Sequence, residues 1–447
     1  MTAALVFPAI CNQPFAAPHP PKQADLGSCA PSGPSVIDSR KVILSGLRVI
    51  DCGTYIAGPA AATIMSDFGA EVVKIERPPH GDPYRYLPLV PGMPTGNTDY
   101  CWILDGRNKR SLALNLGTDA GREILLKLVA SADVFITNYQ PELTRKFRIT
   151  WDDLRPLNDR LIYGYVTGYG ELGDGAGQPG YDSTAYWARS GLMATMHYAD
   201  ADPVQSPAGF GDHPTCMSLF AAIMLALYER QRTGRGAKVS TSLMANGAWS
   251  NACQIQAAMC GATFRPRWTR RTAINPLVNH YVAADGVRLF FTLLDPGKDW
   301  NNFCRAIDRP ELLDDARFTT PNLRAENSAT LIAIIDEMII RKDSAEWKRI
   351  FAEHEVIWSP VPFSAEVPRD VQMAANGVFL DIEGTDLKTV GNPVTIEGVA
   401  KAPPRLAPEV GQHTIEILRE LGYSEADIQT LRADEVVAVP ASHCAAT

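Results

Sequence analysis

Apolar and polar positions along the chain alternate between two periods, and the alternation sets the architecture. Leu47-Arg-Val-Ile-Asp51 is a short apolar run ending at Cys52-Gly53, the mark of a buried strand. From Ala57 to Phe68 small and apolar residues fall at helical spacing, and Gly69 closes that helix at its C-terminal cap. Ala70-Glu-Val-Val-Lys-Ile-Glu76 reads as a second strand. Strand, helix and strand within about thirty residues make a βαβ unit, which requires a parallel sheet. The pattern recurs with a strand at Arg110–Asn115, a helix at Thr118–Ser131, and strands at Asp133–Thr137 and Arg160–Thr167. The expected fold class is therefore α/β, with a doubly wound, Rossmann-like parallel sheet as the large domain.

A glycine-rich stretch, Gly168 to Gly180, interrupts the order and reads as a mobile loop. Helical spacing returns at Ser183–Met193 and strongly at Thr215–Arg232, where Gly234-Arg-Gly236 stops it. Lys238–Ser242 reads as a strand and Met244–Cys260 as a helix. From Arg265 the texture changes. Asn279–Val282 and Val287–Thr292 flank an Asp285-Gly286 turn, a hairpin signal, and helices follow at Asp299–Ala306 and Thr330–Arg341. Pro404 and Pro408 precede a last helix, Gly411–Gly422, with Leu418 and Leu421 on one face. The expected division is a disordered, proline-broken extension at 1–42 and the first part of the large domain at 43–235. A linker helix region at 236–264 and a small α+β domain at 265–355 follow. The chain then returns to the large domain at 356–435 and ends in a flexible tail at 436–447.

The 447 residues are 46% apolar and 21% charged, ample for a packed core and unlike a disordered chain. The net charge of −8 argues against nucleic acid as a partner, so any anionic ligand must be held by a local cluster of Lys and Arg. No run of 18 uncharged apolar residues exists, so no membrane helix is expected. The nine cysteines are scattered, with no C-x-x-C and no zinc spacing, so no metal site is expected. Reduced thiols suit a cytoplasmic protein, with mitochondrial and peroxisomal locations left open.

The residues offer modest chemistry on their own. Gly168-Tyr-Gly-Glu-Leu-Gly173 has the G-x-G-x-x-G spacing, but a glycine-rich loop follows where a dinucleotide site needs a helix. Asp212, in Ala208-Gly-Phe-Gly-Asp-His213, is either the N-cap of the next helix or a carboxylate at its positive end, with small neighbours that let a ligand approach. Asp182 poses the same choice one loop earlier. Lys74 with Arg77, and Arg107 with Lys109 and Arg110, are either solvated strand ends or a phosphate clamp at the sheet's carboxyl edge.

A longer series of motifs runs from Leu44 to Glu435. It includes Leu44-Ser-Gly-Leu-Arg-Val-Ile-Asp51, Ala57-Gly-Pro59, Phe68-Gly-Ala-Glu-Val-Val-Lys-Ile-Glu-Arg77 and Asn108-Lys-Arg-Ser111. Asn138-Tyr139, Pro179-Gly-Tyr-Asp182, Gly211-Asp212, Thr233-Gly-Arg-Gly236 and Gly411-Gln-His-Thr414 continue it. In this order the chain resembles the class III coenzyme A-transferases, the family that also contains α-methylacyl-CoA racemases.

The resemblance implies a ring-shaped chain in an interlocked homodimer, with acyl-CoA and a carboxylic acid as substrates. Coenzyme A is then a co-substrate, with no permanently bound cofactor. It makes Asp212 the catalytic nucleophile, with Tyr181, Asp182 and Gly211 on the substrate. It places Ile56, Ala57, Arg77, Leu114, Asn115, Leu116, Asn138, Tyr139 and Lys146 along coenzyme A. Gly209 and Gly211 are the candidate oxyanion donors. Racemases of the family carry His where Tyr181 stands, and a phenol with a reference pKa near 10 is a poor proton shuttle at neutral pH. CoA transfer is thus favoured, to a 2-hydroxy or a dicarboxylic acid. Tyr186 and Trp187 are either an acyl pocket or helix core, Arg189 is a candidate for a distal carboxylate, and His213 reads as a loop or cap residue. A racemase-like isomerase and a catalytically silent CoA-binding protein are the alternatives.

Overall fold

The structure is a computed structural model and describes residues 42–440. The expected extension before Val42 and the last seven residues of the expected tail lie outside the described residues. In chain order the first half contains β1 (Arg48–Asp51), α1 (Ala57–Asp67), β2 (Glu71–Glu76), α2 (Tyr100–Gly106), β3 (Arg110–Leu114), α3 (Asp119–Val129) and β4 (Val134–Thr137). Next come α4 (Pro141–Lys146), α5 (Trp151–Leu154), β5 (Ile162–Thr167), α6 (Leu192–Thr195), α7 (Asp212–Thr233), β6 (Ala237–Ser242) and α8 (Leu243–Ser250). The later strands are β7 (His280–Val282), β8 (Arg288–Phe291), β9 (Trp358–Pro360), β10 (Phe379–Asp381), β11 (Lys388–Val390) and β12 (Val437–Ala438).

Seven strands form one sheet in the order β12-β3-β2-β1-β4-β5-β6. The six from β3 to β6 run parallel, and β12 pairs antiparallel with the β3 edge. The order runs outward in one direction through β1, β2 and β3 and in the other through β4, β5 and β6. Between β1 and β4 the loops leave to opposite faces and open a crevice, the usual ligand position in such sheets.

Helices cover both faces. On one, α1 and α7 bury Ala61, Met65, Leu219 and Ile223 against Val134, Ile136 and Ile162 of the sheet. All eleven residues of α1 are buried, and its alanines allow that closeness; a Cβ on Gly58 would already touch the Ile136 methyl at 3.5 Å. On the other face Ile124, Leu125, Leu418 and Ile428 cover Leu112, Phe135 and Tyr163. A separate apolar cluster joins Tyr281, Phe291, Phe303, Ile335, Trp347 and Phe351 around the antiparallel sheet β7-β8-β9.

Four local expectations are corrected. The helix expected at Ser183–Met193 is a π-helical turn at Asp182–Ala188 followed by α6, separated by Gly191 at φ +84°. The helix expected at Met244–Cys260 is α8 and a second helix, Ala252–Met259, broken at Asn251, whose amide donates to the Ser190 carbonyl at 3.0 Å. The helix expected last, at Gly411–Gly422, spans Thr414–Glu420 because Gly411 sits at φ +70°, and a further helix, Glu425–Ala433, follows it. The expected tail starts instead with β12, where Val437 pairs with Leu114 and Ala438 with Ala113. Two residues of strand are too short to give a periodic signal.

Candidate active site

A cavity of about 640 Å³ opens at the β1/β4 crevice. Its walls are the segments that leave the carboxyl ends of four strands: Thr54–Ala57 after β1, Asn138–Pro141 after β4, Thr167–Gly170 after β5 and Leu243 after β6. Gly177–Asp182, Ala208, Gly209 and Asp212 close the remaining side. Ile56, Ala57, Asn138, Tyr139, Tyr181, Asp182 and Asp212, all expected at the site, therefore meet at one cavity.

Asp212 is the first residue of α7, and Gly211 holds the cap position before it. The cap reading of Asp212 is thus replaced by a carboxylate in the first helical turn. Gly211 must be glycine here: a Cβ would stand 2.5 Å from Cγ of the buried Tyr186 ring. Its N–H donates to Oδ2 of Asp182 at 3.1 Å, and Oδ1 of Asp182 takes the Ser183 N–H at 2.7 Å. The Gly211 amide is accordingly committed to Asp182, which corrects its expected role as an oxyanion donor. Burial foremost, and the Asp182 carboxylate next, raise the pKa of Asp212 to about 7, against the opposing pull of His213.

His213 was expected to be a loop or cap residue. Its Nδ1 lies 3.1 Å from the Gly209 carbonyl and its Nε2 lies 3.4 Å from Oδ2 of Asp105 on α2. Asp105 is distant in sequence, and no motif joins the two, so sequence gave no signal for the pair.

The β1 loop owes its shape to buried charges. Lys74 Nζ lies 2.7 Å from Asp82 and 3.5 Å from Asp51, and donates to the Gly53 carbonyl at 2.6 Å. Lys109 lies 2.8 Å from Asp51. Asp82 Oδ1 in turn accepts the Tyr55 and Tyr84 N–H groups at 3.0 and 2.9 Å, which holds Tyr55 at φ +58°. Asn138 bonds both the N–H and the carbonyl of Thr54 at 2.8 Å and clasps the β1 and β4 loops together. The Tyr55 and Tyr181 rings meet edge to face with centroids 5.7 Å apart at the cavity wall.

The phosphate-clamp reading fails for four of its five residues. Lys74 and Lys109 are buried in the network above, Arg107 pairs with Asp67, and Arg110 pairs with Glu71, Glu416 and Glu420. Arg77 is exposed and has no ion pair among the described residues. Arg77, Leu114, Asn115, Leu116 and Lys146 do not line the cavity. Leu114 is buried against β12, and the Asn115 N–H donates to the Val436 carbonyl at 2.8 Å. Lys146 is exposed at the end of α4. Tyr186 and Trp187 are interior, with the Trp187 indole donating to the Val204 carbonyl at 2.8 Å, and Arg189 faces solvent. The G-x-G-x-x-G stretch is a cavity wall with no helix after it. Among the described residues no cluster of His, Cys, Asp and Glu is arranged to hold a metal, and no helix is long and apolar enough to cross a membrane.

The doubly wound sheet agrees with known proteins. The profile of CoA-transferase family III matches residues 44–414, and the chain belongs to that family. It is 31% identical to the (R)-2-hydroxy-4-methylpentanoate CoA-transferase of Clostridioides difficile, over 89% of this chain and 100% of that one. It is also 31% identical to the cinnamoyl-CoA:phenyllactate CoA-transferase of Clostridium sporogenes, over 89% and 98%. The crystal structure of a CAIB/BAIF family protein from Brucella suis matches with a TM-score of 0.75 at 27% identity, covering 85% of this chain and 99% of that chain. The protein is an enzyme of the CoA-transferase class.

Proposed function

We propose that the protein moves coenzyme A from an acyl-CoA to a free carboxylic acid through covalent intermediates on Asp212. A carboxylate at the wall of a cavity large enough for a thioester, in the first turn of a long helix, carries this reading. One Asp212 oxygen attacks the thioester carbon and expels the CoA thiolate, leaving an acyl-aspartyl anhydride. The thiolate attacks the aspartyl carbonyl of that anhydride and releases the donor acid as its carboxylate. The acceptor carboxylate then attacks the aspartyl-CoA thioester and again expels the thiolate. Finally the thiolate attacks the acceptor's acyl carbon and frees Asp212. Each step is one acyl substitution, and no proton is gained or lost over the cycle.

The acceptor is a 2-hydroxy or dicarboxylic acid, and the substrates that name the two clostridial relatives support the 2-hydroxy class. Coenzyme A lies with its pantetheine arm past Asn138 and Tyr139 and its adenine side toward Ile56 and Ala57. Arg77 and Lys146, exposed and without a carboxylate partner among the described residues, meet its phosphates. The Leu114–Leu116 segment reaches the adenine through its remaining backbone groups.

The working form is an interlocked homodimer of ring-shaped chains, with the expected domain limits except that the large domain extends through β12. Trp249, Met259, Phe363 and Val371, each at least 70% exposed, supply apolar surface for a second copy to cover. Six unpaired cysteines among the described residues suit a cytoplasmic enzyme.

The test is mass spectrometry of the Asp212 peptide after incubation with a panel of acyl-CoAs, beside Asp212→Ala. Gain of CoA less water in the parent alone supports the reading. Exchange of α-deuterium without loading overturns it in favour of a racemase-like isomerase, and CoA binding without turnover points to a silent binding protein.

A further inference from the structure

His213 stands between a carbonyl and a carboxylate. Its Nδ1 faces the Gly209 carbonyl at 3.1 Å, and a carbonyl oxygen only accepts, so Nδ1 carries hydrogen. Its Nε2 is shielded from solvent and makes no hydrogen bond, and it lies within ion-pair range of Asp105 Oδ2 at 3.4 Å. A neutral ring with hydrogen on Nδ1 would turn the Nε2 lone pair toward that carboxylate. Tyr84 donates its hydroxyl to the same Oδ2 at 2.8 Å, which fixes Asp105 as an acceptor. Hydrogen on both ring nitrogens is the state that satisfies every neighbour.

The ring also holds the wall of the cavity in place. Gly209 lines the cavity at φ +76°, and a Cβ there would meet the His213 ring at 3.2 Å and Ile56 at 3.1 Å. The Gly209 carbonyl receives both the ring and the backbone N–H of His213, so the turn that leads to Asp212 is tied through the imidazole to α2.

We propose that His213 is a positioning residue, an imidazolium clamped between Asp105 and Gly209 that fixes the turn before Asp212 and supplies positive charge that favours the ionised form of its carboxylate. The charges facing this pair come from several elements. Asp182 on the π-helical turn opposes ionisation of Asp212, as does Asp105. Arg107 supports the ionised Asp105 from beyond α2, and Lys109 lies close to both Asp105 and Cys216. Tyr84, Cys101 and Cys216 complete the titratable neighbours, and burial keeps each of them in its neutral form. Burial opposes a charge on His213, yet Asp105 and the Gly209 carbonyl outweigh it and raise the ring to about 9.

The proposal rests on Asp212 as nucleophile, and two readouts separate the two claims. The first is nitrogen NMR of histidine-labelled enzyme, with the His213 signals assigned by their loss in His213→Gln. Imidazolium shifts persisting at pH 8 in the parent, and lost in Asp105→Asn, are expected whether or not Asp212 forms adducts; a neutral ring at pH 7 overturns the proposal. The second is the pH profile of Asp212 loading by an acyl-CoA, read by mass spectrometry. His213→Gln, which can reach Asp105 or Gly209 but not both, is expected to move the acid limb up by about one unit, a tenfold change in the proton equilibrium. Loading at pH 9 is expected to fall too, because the turn before Asp212 loses one of its ties, but by less than at pH 7, where the lost charge adds to the lost positioning. Equal loss at all pH values, with parent-like circular dichroism, overturns the charge role; absence of loading in the parent overturns the nucleophile reading instead. Asp105→Asn is the second variant if His213→Gln does not fold.

Discussion

Asp182 Oδ2 accepts the Gly211 N–H at 3.1 Å, one residue before Asp212. Because its Oδ1 takes the Ser183 N–H at 2.7 Å, both carboxylate oxygens face donors. Asp182 therefore joins the π-helical turn to the start of α7 and places a negative charge near Asp212. Asparagine can satisfy only one of the two donors, since its NH₂ group would oppose the other N–H. Asp182→Asn is expected to cost about 1.5–3 kcal/mol of stability, the range for a lost hydrogen bond to a charged group. It is also expected to lower the acid limb of Asp212 loading below pH 7. A limb that stays in place in a folded variant would show that Asp182 does not govern the ionisation.

The raised pKa of Asp212 has a consequence for stability with a definite sign. The folded protein holds a proton at Asp212 up to about pH 7, whereas an unfolded chain releases it near the ordinary value of 3.8. Between these values the folded state binds more protons, so this group makes stability fall as pH rises, and the penalty is complete above pH 7. Asp212→Asn removes it. Allowing for partial exposure, the variant is expected to be more stable than the parent by about 1–2 kcal/mol at pH 8, with the gap closing toward pH 4. Urea titrations at the two pH values check this, and a variant less stable at pH 8 would contradict it.

The sheet was legible because its strands are short apolar runs between helices of regular period, as in Leu47–Asp51 and Ala57–Phe68. The strand order, and the crevice it opens between β1 and β4, rest on long-range pairings that the apolar runs do not encode. Asp212 was legible as a carboxylate among glycines, and the family resemblance marked it as the nucleophile now proposed. The charge network was not. Lys74 and Lys109 look like surface cations in sequence, and only long-range contacts with Asp51 and Asp82 show that they are interior. His213 escaped for the same reason, since Asp105 reaches it through the packing of α2 near the start of α7. Breaks such as Asn251 were hidden because a side chain's partner, here Ser190, decides where the helix stops.

Burial separates two groups of ion pairs that look alike in sequence. Lys74 has no exposed side-chain surface and joins Asp51, Asp82 and the Gly53 carbonyl. Lys74→Met leaves Asp82 buried without its cation and is expected to cost about 3–5 kcal/mol. It also frees the Tyr55 loop, so the KM for acyl-CoA is expected to rise. Arg110, in contrast, pairs with Glu71, Glu416 and Glu420, whose side chains are 45–59% exposed. Arg110→Met is expected to cost about 1 kcal/mol or less. Equal losses in the two variants, measured by chemical denaturation, would contradict the distinction.

Gly211 and Gly96 separate crowding from the mere presence of a side chain. A Cβ at Gly96 meets nothing within 4 Å, whereas one at Gly211 would lie 2.5–2.8 Å from Cγ, Cβ and Cδ1 of Tyr186. The Tyr186 ring cannot yield freely, because it is buried and its hydroxyl bonds to Ser250 Oγ at 2.7 Å. The strain must then pass to the start of α7, which carries Asp212. Gly211→Ala is expected to cost about 1–3 kcal/mol, as overpacking does. Moving a nucleophile by about 1 Å is expected to slow its loading about 100-fold. Gly96→Ala is expected to match the parent in both measurements. Parent-like loading in Gly211→Ala would mean that the first turn of α7 adapts to the added methyl and that the position of Asp212 does not depend on Tyr186.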